Sequence, residues 1–315
     1  MRAKLLVYLK GMAMGAADVV PGVSGGTIAF ITGIYGQLLD ALANMPQAAL
    51  LLLKGRVKQA WALAHVNFLL ILFAGILTSI VSLARLITWL LEYHSIAVWS
   101  FFFGLVLVSC YFVGRDIKRW NWARYVFFVL GTAAAWYITV ASPINWGHDP
   151  LSIFLAGAIA ICAMILPGIS GSFLLLLMGL YSYILDAVKN FDVSVMLAFA
   201  LGCAFGLLAF AKVLKAALQH YRDVTLALLT GFMLGSLNKI WPWKQTVTWF
   251  TAPNSAPKPV LQENILPWNY AQISGQDTQL LLAIAMAVLA VLLVITIEWF
   301  AQRKVKSSDS VVLGQ

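Results

Sequence analysis

One stretch of 23 residues occurs twice in this chain, and each copy interrupts apolar sequence with a polar, glycine-rich break. Residues 18 to 40 read DVVPGVSGGTIAFITGIYGQLLD and residues 164 to 186 read MILPGISGSFLLLLMGLYSYILD, aligned without a gap. Pro21, Gly22, Ser24, Gly25, Gly33, Tyr35, Leu39 and Asp40 meet Pro167, Gly168, Ser170, Gly171, Gly179, Tyr181, Leu185 and Asp186. So many Gly, Pro, Ser and Asp identities seldom fall into register by chance. The chain therefore reads as two copies of one unit.

The surroundings of the two breaks set the class. With 62% hydrophobic and 10% charged residues, the composition lies far outside that of soluble domains. The apolar runs have helical length, not the alternating ten-residue segments of an outer-membrane barrel. The expected fold is an all-α polytopic membrane protein. A net charge of +9 does not imply nucleic acid here, because the basic residues punctuate apolar segments as the positive-inside rule requires. Cys110, Cys162 and Cys203 lie inside apolar runs without metal-ligand spacing, and the four histidines are scattered, so neither a disulfide, a metal site nor a cofactor is expected. Lys10 interrupts the apolar N-terminal run, so that run is expected to be part of the fold rather than a cleaved leader.

Residues 5–20 and 27–43 flank the first break as arms of about 16 residues, short of the ~20 needed to cross a bilayer. They predict a re-entrant hairpin over 5–43 whose two ends face the cytoplasm, where Arg2, Lys4, Lys54, Arg56 and Lys58 lie. Spans follow over 66–93, 96–114 and 125–141, completing a first repeat at 1–141. A second hairpin over 151–189 begins and ends on the outer side. Spans over 195–219, 224–240 and 279–301 complete a second repeat at 151–302, with an outer loop at 241–278 and a cytoplasmic tail at 303–315. The loop carries Trp241, Trp243, Trp249, Trp268 and five prolines, suiting the headgroup layer. The duplication continues past the hairpins: LARLITWLLEYH at 83–94 aligns with FAKVLKAALQHY at 210–221, pairing Arg85 with Lys212. Three crossings per unit invert the second copy, giving an inverted-topology repeat with both termini cytoplasmic.

Pro21 and Pro167 stop the first arms, and Gly22, Gly25, Gly26, Gly168 and Gly171 permit turns. Ser24 and Thr27, or Ser170 and Ser172, are natural N-caps for the second arms. Two helix N-termini facing each other at mid-membrane form an anion site; the other reading makes the glycines and serines packing kinks. Arg85 and Lys212 lie about nine residues from their helix ends, or ~13 Å deep, where a cation needs a partner or an aqueous path. A bound anion fills that need, as does an internal ion pair with Asp18 or Glu92. Asp18, replaced by Met164 in the second copy, reads either as a proton-coupling carboxylate or as a salt-bridge partner of Arg85. Asp40 and Asp186 read as solvated, Tyr35 and Tyr181 as packing residues. No histidine lies in a break, which argues against a phosphatase.

The pair PGVSGGT and PGISGS, each followed by Gly-x-Tyr and an Asp, resembles the PopT-type polyprenyl-phosphate transporter family over nearly the whole chain. That resemblance implies a bacterial inner-membrane protein that moves undecaprenyl phosphate, the lipid carrier of cell-wall glycan synthesis, from the outer leaflet to the inner one. It carries a phosphate headgroup site onto Pro21 through Thr27 and Pro167 through Ser172. Arg85 and Lys212 then stand as the phosphate cations, and a proton or ion gradient as the driving force. A secondary transporter of a small anion or ion is the alternative. Oligomeric state is not legible.

Overall fold

In the computed structural model, residues 2–20, 22–144, 146–250 and 258–312 are described. The first copy opens with α1 (Arg2–Val19), a break, α2 (Gly25–Ile31), a second break, and α3 (Tyr35–Leu53). A short basic helix α4 (Val57–Leu63) leads to α5 (Val66–Tyr93), α6 (Ser95–Arg115) and α7 (Trp122–Val140). The second copy follows the same order: α8 (Pro150–Ile165), α9 (Gly171–Leu177), α10 (Tyr181–Lys189), α11 (Val193–His220) and α12 (Arg222–Ser236). After a connecting segment come α13 (Pro267–Ser274) and α14 (Leu280–Val312). Four of these helices, α5, α6, α7 and α11, are long and apolar enough to cross a membrane, and this is a polytopic helical membrane protein.

The structure departs from the expected layout in four places. The second arms are not single helices: each stops after seven residues, at Gly33 (φ 73°) and Gly179 (φ 70°), where a left-handed turn redirects the chain. The bend between α9 and α10 is 107°. Secondly, the span expected over 224–240 is the 15-residue α12, after which residues 237–240 turn out of the helix. At ~1.5 Å per residue α12 covers about 22 Å, less than a hydrocarbon core. Thirdly, α14 runs through the boundary expected near 302, so that residues 303–312 of the tail continue the helix. Lastly, the outer loop is not irregular. Strands β1 (Lys244–Phe250) and β2 (Lys258–Asn264) pair antiparallel within it, adding a two-stranded sheet to an otherwise helical chain. The β-branched and aromatic run QTVTWF favours a strand, and its amides pair with a neighbour instead of water.

Helix pairs are zipped by glycines. Methyl groups at Gly11 and Gly75 would overlap the Leu72 and Tyr8 carbonyls, so α1 lies backbone to backbone on α5. Gly15 meets Ile76 four residues further on, so the two run parallel. The α8–α11 pair repeats this, with Gly157 against Phe199, Gly202 against Phe154 and Gly206 against Ala158. Small-residue seams of this kind replace the hydrophobic drive that lipid cannot supply. Further contacts join α7 to α12 through Gly131, Gly231 and Gly235, and α6 to α14 through Gly104. The largest core cluster draws on α1, α2, α3, α5, α6, α11, α12 and α14, and it surrounds the first break. An ion pair of 2.9 Å between Lys215 and Asp40 ties α11 to α3, so Asp40 is not merely solvated.

Candidate functional site

The two breaks meet. The last carbonyls of α8 have no partner within the helix, and residues of the first copy supply it. The Ser24 hydroxyl donates to the Met164 carbonyl at 2.8 Å, and the Tyr35 hydroxyl to that of Ile165 at 3.1 Å. In return the Gly168 amide donates to Thr27 Oγ1 at 2.9 Å. Ser24, Thr27 and Tyr35 are buried, at 0%, 0% and 4% exposure. Three hydrogen bonds, two of them buried and one partly so, at about 0.5–1.5 kcal/mol each hold the breaks together by roughly 1.5–4.5 kcal/mol. Gly26 allows the approach, since a Cβ there would lie 2.5 Å from the Ile165 carbonyl oxygen.

Inside each break, the chain closes differently. Ser24 caps α2 as the sequence predicts, accepting from the Gly26 amide at 3.0 Å. The Gly25 amide donates to Asp18 Oδ1 at 2.6 Å, so a carboxylate from α1 occupies the place an anion would take at α2. Asp18 makes no salt bridge to Arg85 among the described residues. In the second copy Met164 stands at this position, and no side chain caps α9. The buried Ser170 hydroxyl lies 2.8 Å from that of Ser172, which is exposed. Replacing Asp18 by alanine is expected to destabilise the protein by about 0.5–2 kcal/mol, as for lost N-caps. Asparagine, which still accepts from Gly25, is expected to cost less. Unfolding in detergent compares the two, and equal losses would transfer the effect from acceptor geometry to charge.

Gly22 (φ 87°) and Gly168 (φ 97°) both take the left-handed conformation and face a narrow crevice of about 10 Å³. Ser170, Phe173, Ile138 and Thr139 complete its walls with Lys239. The Lys239 stem crosses Gly22, where a Cβ would come within 2.8 Å of it. Its ammonium sits 4.3 Å from the centre of the Phe173 ring, and it pairs with no carboxylate among the described residues. Pro21, the expected stop of the first arm, lies outside the described residues; Pro167 is fully buried.

Arg85 and Lys212 do not border this crevice. Both are exposed. Each lies six residues beyond a residue of its helix's packed seam, Ser79 or Gly206, which at ~100° per residue places it about 120° around the helix from that seam. The cation at the breaks is Lys239 instead, in a turn where the sequence predicts the end of a span. A lysine at the end of a span directed to the Lys- and Arg-poor side was the available signal.

The chain is thus an integral membrane protein in which two broken hairpins from separate copies close around a lysine. The model of the family described as VCA0040-like, undecaprenyl phosphate translocase-like, matches residues 14–257. The chain belongs to that family. A polyprenyl-phosphate transporter of Vibrio cholerae is 48% identical over 301 residues, covering 95% of this chain and 97% of the relative. One of Staphylococcus aureus, also named a polyprenyl-phosphate transporter, is 32% identical over 277 residues, covering 79% and 91%. These relatives are transporters, not enzymes. No solved structure matches.

Proposed function

We propose that this protein carries undecaprenyl phosphate, or a closely related polyprenyl phosphate, across the bacterial inner membrane from the outer to the inner leaflet. The observation that carries the reading is Lys239, a half-buried lysine with no carboxylate partner among the described residues, in the crevice between the two breaks. Uncompensated charge in a low-dielectric setting calls for a counter-ion, and a phosphate supplies one. The two copies act as an inverted repeat, each a hairpin with three further membrane segments, and both termini are cytoplasmic.

The crevice of about 10 Å³ holds roughly one water, so the breaks must part to admit a phosphate. Parting them costs the roughly 1.5–4.5 kcal/mol of the shared hydrogen bonds. Two or three charge-assisted bonds to phosphate, at about 1.5–3 kcal/mol each, offset that cost. Lys239, Ser170 and Ser172 make the first of them, and Ser24, Gly25, Gly26, Thr27 and Gly171 join once released. Closure around the headgroup, then opening to the opposite side, gives alternating access. Arg85 and Lys212, carried at the depth of their breaks by the parallel helix pairs, act as auxiliary cations. Asp18 is the candidate for coupling to a proton gradient.

Purified protein in vesicles containing labelled polyprenyl phosphate is expected to accelerate transfer between leaflets, and short prenyl phosphates to compete. Equal competition by inorganic phosphate would favour the small-anion transporter instead. Unchanged transport by an Arg85→Ala, Lys212→Ala double variant would remove their auxiliary role.

A further inference from the structure

A larger cavity, about 500 Å³, opens between the end of α7, the turn after α12 and the β-hairpin. Lys239 and Thr139 are common to its wall and to the crevice between the breaks. Its second lysine is Lys244, on β1. The Lys244 ammonium is 3.5 Å from the centre of the Trp99 ring and donates to the Lys239 carbonyl at 2.6 Å. Burial and the neighbouring Lys239 hold it well below the usual lysine range. Neither lysine has a carboxylate partner among the described residues. Glu263, the carboxylate that borders the cavity, is exposed.

The wall is built, not accidental. Asn264 Nδ2 donates to the Asn238 carbonyl at 2.7 Å and to Asn238 Oδ1 at 2.8 Å. Asn238 Nδ2 in turn donates to Thr139 Oγ1 at 2.8 Å. These bonds tie β2, the turn after α12 and α7 into one frame around the two lysine side chains.

Asn238 also belongs to a groove of about 400 Å³ along the outside of α7 and α12, lined by Phe128, Val129, Ala133, Trp136 and Leu234. A further groove of about 520 Å³ shares Phe128 and Leu234 and continues to Arg115. A cationic cavity and an apolar groove with a common wall match one amphiphile: a phosphate monoester on a long apolar chain. We infer that the cavity under the β-hairpin is a docking site for such a lipid, with its phosphate on Lys244 and Lys239 and its chain along α7 and α12. From there Lys239, shared by both spaces, passes the phosphate to the breaks. This rests on the transport reading above and adds to it where the substrate is first held.

Calorimetric titration of the full-length protein in detergent tests it, with geranyl phosphate, geraniol and inorganic phosphate as probes. Lys244→Gln is expected to weaken geranyl phosphate about tenfold, with geraniol unchanged and Lys244→Arg near the native affinity. Ala133→Trp, at an exposed position that fills the groove, is expected to weaken geranyl phosphate while leaving inorganic phosphate as it was. Native affinity in Lys244→Gln, at an unchanged melting temperature, overturns the site. Inorganic phosphate binding as tightly as geranyl phosphate overturns the lipid as its occupant. Vesicle transport separates the two proposals. Translocation by the native protein with unaltered binding in Lys244→Gln removes the docking site alone. Binding that needs Lys244, without translocation, leaves the docking site and removes the transport reading.

Discussion

Replacing Lys239 by glutamine is expected to slow polyprenyl-phosphate transfer between about tenfold and a hundredfold, the range for losing one charge-assisted contact of about 1.5–3 kcal/mol. No carboxylate is orphaned by the change, since none pairs with this lysine among the described residues. Folding is therefore expected to survive, and the loss to be read in initial rates from vesicles. Phe173→Leu separates the ring from the charge. It removes a cation–π contact of 4.3 Å, worth about 0.5–2 kcal/mol, but leaves the ammonium beside Gly22, so a smaller effect is expected. Native rates in Lys239→Gln would remove the lysine from the site.

Gly168→Ala is expected to cost about 2–5 kcal/mol. The left-handed backbone accounts for about 1–2 kcal/mol of this. Crowding adds about 1–3 kcal/mol, because the new methyl would lie 2.8 Å from Ser236 Oγ and 3.1 Å from both the Met233 Cα and the Phe232 carbonyl oxygen. Gly33→Ala is the matched control. It carries a similar φ of 73° but a methyl there would have nothing within 4 Å among the described residues, so only the backbone part of the cost is expected. Unfolding in detergent measures both. Equal losses would mean that contact with α12 contributes nothing at Gly168, and the packing of the second break on that helix would need another explanation.

The class of protein was legible because it depends on local quantities. Apolar run length places α5, α6, α7 and α11, and the Pro-Gly breaks place the ends of α1 and α8 to within a residue or two. Ser24 as the cap of α2 was equally local. Partner choice was not. Nothing around Asp18 announces that its carboxylate folds back onto Gly25 instead of reaching Arg85, because both partners satisfy the same charge. Tyr35 read as packing because its phenol finds its acceptor 130 residues away, on the other copy. Arg85 and Lys212 drew attention by depth, yet depth along a helix does not set which way a side chain faces. Here the glycine seams set it, and both cations turn outward. Lys239 was overlooked because a helix assumed to run to residue 240 ends at Ser236, and the lysine belongs to the turn beyond. Residues 244–250 and 258–264 passed as loop because two seven-residue strands carry little periodic signal.

The seams of α1 on α5 and α8 on α11 also restrict how the molecule can deform. Carbonyl oxygens facing glycine leave no side chains to repack, so sliding either pair would break backbone contact along its length. Each first arm and its partner helix therefore move as a single lever, and the fulcrum falls where the chain is least crowded. Among the described residues, a Cβ at Gly33 would have nothing within 4 Å, and one at Gly179 would meet only the Ile144 carbonyl oxygen, at 3.1 Å. In the transport cycle proposed above, the short second arms pivot there against two stiff levers, opening one face of the molecule while the other stays shut.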